Sequence, residues 1–148
     1  NPHILILDEP TAGLDPKERI RFRNLISAFA QNRIVILSTH IVSDVECIAE
    51  EIMMMKSGAI VRRGNPQEIP SEIDGQVWEC TVPTAHAKRY AAAFHTSNLR
   101  NTDRGETVLR ILSDHPPMEN AVCVPPNLED LYLFYFKGDP QSEKAHSI

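Results

Sequence analysis

Paired cysteines and long apolar runs are both missing from this chain. The three cysteines, Cys47, Cys80 and Cys123, lie far apart without ligand spacing, so neither a disulfide framework nor a zinc site is indicated. No apolar run approaches the ~20 residues that a membrane-spanning helix requires, and no signal-peptide pattern opens the sequence. Any association with a membrane is therefore expected to go through a partner protein.

Basic residues are also few, with 15 Lys and Arg against 20 Asp and Glu, which gives a formal net charge of −5. Phosphate backbones are bound by clustered Lys and Arg, so this balance argues against nucleic acid as a partner. The four basic residues between Lys17 and Arg23 alternate with acidic and apolar ones, which indicates a solvated helix face. With 148 residues, of which 42% are hydrophobic, the chain is large enough to bury one or two small cores.

The N-terminal part has the element order of a parallel α/β sheet. The apolar runs 3–8 and 34–38 predict strands that are covered on both faces. Between them, Asp15, Pro16 and Glu18 have the spacing of a capping box at the start of a helix. A strand, a helix and a second strand in this order predict a parallel pair. The expected apolar stripe of the helix comprises Phe22, Leu25, Ile26 and Phe29.

A second helix is expected after residue 40, and its start is open between Thr39 and a cap formed by Ser43. Two apolar runs, 52–56 and 59–62, then flank a Ser-Gly pair, which predicts a tight hairpin. The apolar positions of the second helix are expected to be Val45, Ile48, Ala49 and Ile52.

The pattern changes near residues 64–66, which predicts a first domain at 1–69 and a small α+β domain at 75–137. Residues 138–148 are polar and are expected to form a disordered tail. The elements expected in the second domain are a strand with Trp78, Cys80 and Val82 on one face, a helix at 84–94, a polar loop, a strand at 107–112, a short strand with Val122 and Val124, and a helix with a stripe of Leu128, Leu131, Tyr132, Tyr135 and Phe136.

Polar side chains follow both predicted strands of the first domain. Asp8 and Glu9 end the first strand, and Ser38, Thr39 and His40 end the second. Ligands of open α/β sheets bind outside the carboxyl ends of the strands, where a carboxylate is a candidate Mg²⁺ ligand and a neighbouring one a candidate base. A solvated turn and a structural histidine are the alternative interpretations.

These motifs resemble those of ATP-binding cassette (ABC) ATPases. Residues 8–10 after four apolar residues resemble the Walker B motif, residues 12–15 the D-loop, and residues 38–40 the H-loop. The hairpin and residues 64–69 resemble the end of the nucleotide-binding domain, so the resemblance covers residues 1–69. No Gly-x-x-x-x-Gly-Lys loop and no Gly-Gly pair occur, so the chain is interpreted as a C-terminal fragment whose Walker A and signature segments would lie upstream.

The resemblance implies a fold and a set of site roles. The fold would be α/β, the C-terminal part of a P-loop NTPase domain followed by the small α+β domain. Asp8 would organise Mg²⁺, directly or through water, Glu9 would be the base for the hydrolytic water, and His40 would position the γ-phosphate of ATP. The fragment alone would be inactive, because the phosphate cradle and its lysine are missing.

Partners are also implied by the resemblance. Gly13, Leu14 and Asp15 would contact a second ATPase subunit, because two cassettes enclose two nucleotides in this family, and a homodimer is expected. The segment 126–133 and the small domain resemble ABC-2 type exporter ATPases, whose permease subunits span the membrane as separate chains. The protein would then be cytoplasmic and peripheral on the cytoplasmic face of the membrane.

Three other functions are alternatives to an exporter subunit. A helicase-type ATPase would have an Ala between Ser38 and Thr39 and a basic groove, and the sequence has neither. A cassette ATPase of DNA repair or translation would keep Asp8, Glu9 and His40, and coiled-coil insertions or a basic surface would indicate it. The third alternative is a regulatory or dimerisation module without activity. It would suit the isolated chain better than it would suit the complete protein.

Overall fold

The computed structural model describes residues 3–136 of the chain, and the predicted tail at 138–148 lies outside them. The described residues form a mixed α/β structure, which divides into two compact units between Ile52 and Met53. The domain boundary after residue 69 stays a prediction. The elements are β1 (Ile4–Asp8), α1 (Pro16–Ala30), β2 (Ile34–Ser38), α2 (Val42–Ile48), β3 (Ile52–Lys56), β4 (Ala59–Gly64), a 3₁₀ helix (Ile69–Ile73), β5 (Val77–Pro83), α3 (Thr84–Ala93), β6 (Thr96–Asn101), β7 (Glu106–Leu112), β8 (Val122–Cys123) and α4 (Leu128–Tyr135).

Strands β1 and β2 form the predicted parallel pair, in register from Ile4 opposite Ile34 to Asp8 opposite Ser38. Their side chains alternate between a half-buried face and an exposed one, where Ile6 is 72% exposed. The expected cover on both faces is therefore wrong for the described chain, because these two strands form a two-stranded sheet with one solvated apolar face. The exposed isoleucines are Ile4, Ile6, Ile34 and Ile36.

Helix α1 begins with the predicted capping box. The Asp15 carboxylate accepts a hydrogen bond from the Glu18 backbone N–H at 2.8 Å, and the Glu18 carboxylate accepts one from the Asp15 N–H at 3.4 Å. Pro16 occupies the first turn, where its missing N–H is not needed. Of the expected stripe, Ile26 is buried and the two phenylalanines are half-buried, but Leu25 is 65% exposed, so its assignment to the packed face is wrong.

Replacing Asp15 by Ala should lower the free energy of unfolding of the N-terminal unit by about 1 kcal/mol, because the side-chain acceptor of the cap is lost. Urea unfolding of the 148-residue chain, followed by far-UV circular dichroism, measures this change. Asp15→Ser keeps an oxygen acceptor and is the matched control, with a smaller loss expected. Equal stability of the Ala variant and the native chain would contradict a stabilising cap.

Helix α2 is shorter than expected. It ends at Ile48, and Ile52 begins strand β3 instead of continuing the helical stripe. No side chain caps its N-terminus, so a Ser43 cap is wrong; instead the Thr39 hydroxyl accepts a hydrogen bond from the Ile41 N–H at 3.0 Å, just before the helix. The following hairpin of β3 and β4 is confirmed, with positive φ at Ser57 and Gly58, as a type I′ turn requires.

The C-terminal unit contains a four-stranded antiparallel sheet in the order β6-β7-β5-β8. Cys80 and Val82 of β5 pack in its core with Leu109 and Ile111 of β7, and burial raises the pKa of the Cys80 thiol. Residues 96–101 are the edge strand β6, so the expected polar loop is wrong in this segment. Edge pairing uses backbone hydrogen bonds, which polar and exposed side chains do not prevent.

Helix α4 is joined to this sheet by a buried carboxylate. Asp130 is 1% exposed and accepts hydrogen bonds from the Arg110 guanidinium at 2.7 and 3.0 Å and from the Ser97 hydroxyl at 2.8 Å. It also closes the capping box of α4 by accepting from the Asn127 N–H at 2.9 Å. The hydrogen bond to Asp130 raises the pKa of Arg110, whose guanidinium also contacts Glu79.

Candidate functional site

The ends of β1 and β2 bring together Asp8, Glu9 and His40, the three residues to which the sequence resemblance assigns roles in the site. The Nδ1 atom of His40 lies 2.9 Å from Oε1 of Glu9. Ser38 joins the group: its hydroxyl donates to Oδ1 of Asp8, and both its hydroxyl and its backbone carbonyl accept from the Glu9 N–H, at 3.2 and 3.0 Å. The parallel register places Asp8 directly opposite Ser38, which explains how residues thirty positions apart in the sequence come into contact.

Glu9 has an uncommon backbone conformation for a residue other than glycine. Its φ is 45°, in the left-handed region, which costs about 1–3 kcal/mol and is held only where the surroundings enforce it. Here the Glu9 N–H is fixed by Ser38, and the Glu9 carbonyl accepts from the Ala12 N–H at 3.1 Å. The turn that results directs the carboxylate across the sheet end to His40.

The two oxygens of the Glu9 carboxylate have different surroundings. Oε1 faces His40, whose side chain is 73% exposed, whereas Oε2 is buried and has no hydrogen-bond partner among residues 3–136. A buried carboxylate oxygen without a protein partner is a place where a water molecule is expected to bind. The arrangement is therefore suited to holding a water against a potential base.

The Asp8 carboxylate is placed suitably for a magnesium ligand. Its side chain is exposed at the sheet end, and one of its oxygens is held by the Ser38 hydroxyl. Within the described part of the chain, no group of three or more His, Cys, Asp or Glu side chains is arranged to hold a metal ion. Mg²⁺ is usually bound through one or two carboxylates together with substrate phosphates and water, and a single exposed carboxylate such as Asp8 suits this mode of binding.

Residues 11–15 form the turn that leads from the site to helix α1. Gly13 has φ of 77°, which glycine adopts without strain, and the Leu14 N–H donates to the Thr11 carbonyl at 3.2 Å. Asp15 is the helix cap, so the cap interpretation of this residue is confirmed, while contact with a second subunit stays a prediction. Thr11, which sequence reasoning missed, is 1% exposed, and its hydroxyl has no hydrogen-bond partner in residues 3–136.

Known proteins with similar sequences are ATP-binding proteins of transport systems. The chain is 40% identical over 86 residues to the energy-coupling factor transporter ATP-binding protein of Lactococcus lactis subsp. cremoris, a match that covers 57% of this chain and 30% of that protein. It is 31% identical over 144 residues to the Nod factor export ATP-binding protein I of Rhizobium meliloti, covering 90% of this chain and 42% of that protein. The chain is homologous to ABC transporter ATP-binding subunits.

The extent of these matches differs between the relatives. The Nod factor export ATP-binding protein I of Burkholderia lata is 31% identical to this chain over 147 residues, and the match covers 90% of this chain and 47% of that protein. The chain thus spans less than half the length of the relatives named here. No family model matches it. In residues 3–136, no helix has the length and apolar character needed to cross a membrane.

Proposed function

We propose that this chain is the C-terminal part of the ATP-binding subunit of an ABC exporter, and that the complete protein couples ATP hydrolysis to transport through separate membrane-spanning subunits. The observation that carries the proposal is Glu9 itself, whose backbone N–H is held by Ser38 and whose carboxylate contacts His40 at the ends of two parallel strands in an ABC homologue. The matches to Nod factor export proteins cover 90% of the chain, against 57% for the energy-coupling factor protein, which favours export.

The described geometry supports distinct roles for the three side chains. Asp8 would hold Mg²⁺, which neutralises phosphate charge when it is bound. Glu9 accepts the proton of the attacking water, and its contact with His40 keeps its carboxylate in place. The exposed ring of His40 is accessible to a phosphate oxygen of ATP. The chain contains no Gly-x-x-x-x-Gly-Lys sequence, so the isolated chain is proposed to be inactive.

The complete protein would have two domains and would act together with a second subunit. The N-terminal residues 1–69 would complete a P-loop NTPase domain, and residues 75–137 would form its α+β accessory domain. Gly13, Leu14 and Asp15 would face a second cassette subunit, and the complete protein would act at the cytoplasmic face of a membrane. The turn at 11–15 leaves the sheet end beside Glu9, which is consistent with a shared site between two subunits.

Phosphate release from ATP is the direct test of this function. The complete cassette polypeptide that contains this chain should hydrolyse ATP in the presence of Mg²⁺, and chelation of the metal should abolish the activity. The isolated 148-residue chain should show no turnover under the same conditions. Absence of Mg²⁺-dependent hydrolysis by the complete polypeptide would overturn the proposal.

A further inference from the structure

The Ser38 hydroxyl contacts both acidic residues of the site at once. It donates its proton to Oδ1 of Asp8 and accepts the Glu9 backbone N–H at 3.2 Å. A hydroxyl has one proton to donate and two lone pairs to accept with, so both hydrogen bonds form together without competition. The same Glu9 N–H also reaches the Ser38 carbonyl at 3.0 Å, which makes the hydrogen bond three-centred.

The position of Ser38 in the sheet explains why its side chain reaches Asp8. Side chains alternate along a strand, so Ser38 lies on the same face of β2 as Ile34 and Ile36, and Asp8 lies on the matching face of β1. The last position of this otherwise apolar face therefore pairs a hydroxyl with a carboxylate. An apolar residue at position 38 would continue the isoleucine row and leave Asp8 without this donor.

We propose that Ser38 is a positioning residue of the ATPase site. Its hydroxyl orients the Asp8 carboxylate, which would hold Mg²⁺, and keeps Glu9 in the left-handed conformation that directs its side chain to His40. The inference rests on the proposed ATPase function for its consequence, whereas the hydrogen bonds themselves can be tested in this chain alone.

A matched pair of substitutions isolates the hydroxyl. Thr and Val have the same shape and both suit a strand, but only Thr retains the oxygen. Loss of a group that orients a metal ligand typically lowers metal affinity or activity by about 10- to 100-fold. Ser38→Val should therefore weaken divalent-cation binding about 10-fold, whereas Ser38→Thr should stay close to the native protein.

The test has one arm in the complete cassette polypeptide. Electron paramagnetic resonance measures Mn²⁺ binding in the presence of a non-hydrolysable ATP analogue. The dissociation constant of Mn²⁺ should be larger for Ser38→Val than for the native protein and nearly unchanged for Ser38→Thr. Nucleotide binding measured in a chelator should be equal for both variants. Equal Mn²⁺ affinity of the two variants would overturn the positioning role toward Asp8.

The second arm uses the 148-residue chain and needs no nucleotide. The three-bond amide coupling of Glu9, which reports its φ, should match the native value in Ser38→Thr and change in Ser38→Val. An unchanged coupling in both variants would overturn the role toward Glu9. Failure of the native cassette to bind Mn²⁺ with the nucleotide analogue, with the coupling difference present, would instead count against the ATPase function.

Discussion

Replacing Glu9 by Gln in the complete cassette polypeptide should lower the rate of ATP hydrolysis by a factor of about 10²–10⁴. Glutamine has nearly the same shape and keeps an oxygen that can face Nδ1 of His40, but its amide does not accept a proton from water. Binding of ATP should survive, because Asp8 and Ser38 are untouched. Steady-state phosphate release measures the loss.

The same substitution tests the proposed dimer. Light scattering after size exclusion should show an ATP-dependent dimer that persists in Glu9→Gln. In the native protein the dimer should dissociate as ATP is hydrolysed. Glu119→Gln, an exposed glutamate in the segment before β8, removes the same charge elsewhere and should change neither property. Native turnover in Glu9→Gln, or no ATP-dependent dimer with either protein, would rule out the mechanism as proposed.

Replacing Asp130 by Ala should destabilise the C-terminal unit by about 3–5 kcal/mol, because it leaves a buried guanidinium without its partner. Arg110 donates to both oxygens of Asp130, and its side chain is only 16% exposed. The variant also removes the acceptor of the Ser97 hydroxyl and half of the capping box of α4. Urea unfolding followed by Trp78 fluorescence measures the change, since Trp78 is the only tryptophan and lies in β5.

The neighbouring residue supplies the control for this experiment. Glu129 lies in the same first turn of α4 and is exposed, so Glu129→Ala should cost less than about 1 kcal/mol. The double variant Arg110→Met/Asp130→Leu replaces both charges by apolar groups and should recover part of the stability. An Asp130→Ala chain as stable as the Glu129→Ala chain would show that the buried pair contributes little to the fold.

Local signals predicted much of the structure of residues 3–64. The apolar runs gave β1 and β2, the spacing of Asp15 and Glu18 predicted the start of α1, and the Ser-Gly pair predicted the hairpin. Each of these depends on residues close together in the chain, where periodicity, caps and turn geometry act directly. The parallel order of the two strands then placed Glu9 and His40 at one sheet end.

Other features depended on contacts with neighbouring elements. Strand β6 forms from polar residues because β7 offers backbone hydrogen bonds along its edge, and Ile52 leaves the helical stripe because it begins a strand in the β3–β4 hairpin. Asp130 lies in the first turn of α4, and only packing against Arg110 makes it part of a buried ion pair.

By itself, the sequence determined the α/β class, the parallel strand pair and the candidate residues Asp8, Glu9 and His40, because strand periodicity and polar strand ends are local properties. The tertiary structure alone decided that Ser38 bridges the two carboxylate residues and that Asp130 fastens α4 to its sheet. These contacts depend on strand register and on packing between elements, which bring together side chains that are about 20 to 30 residues apart.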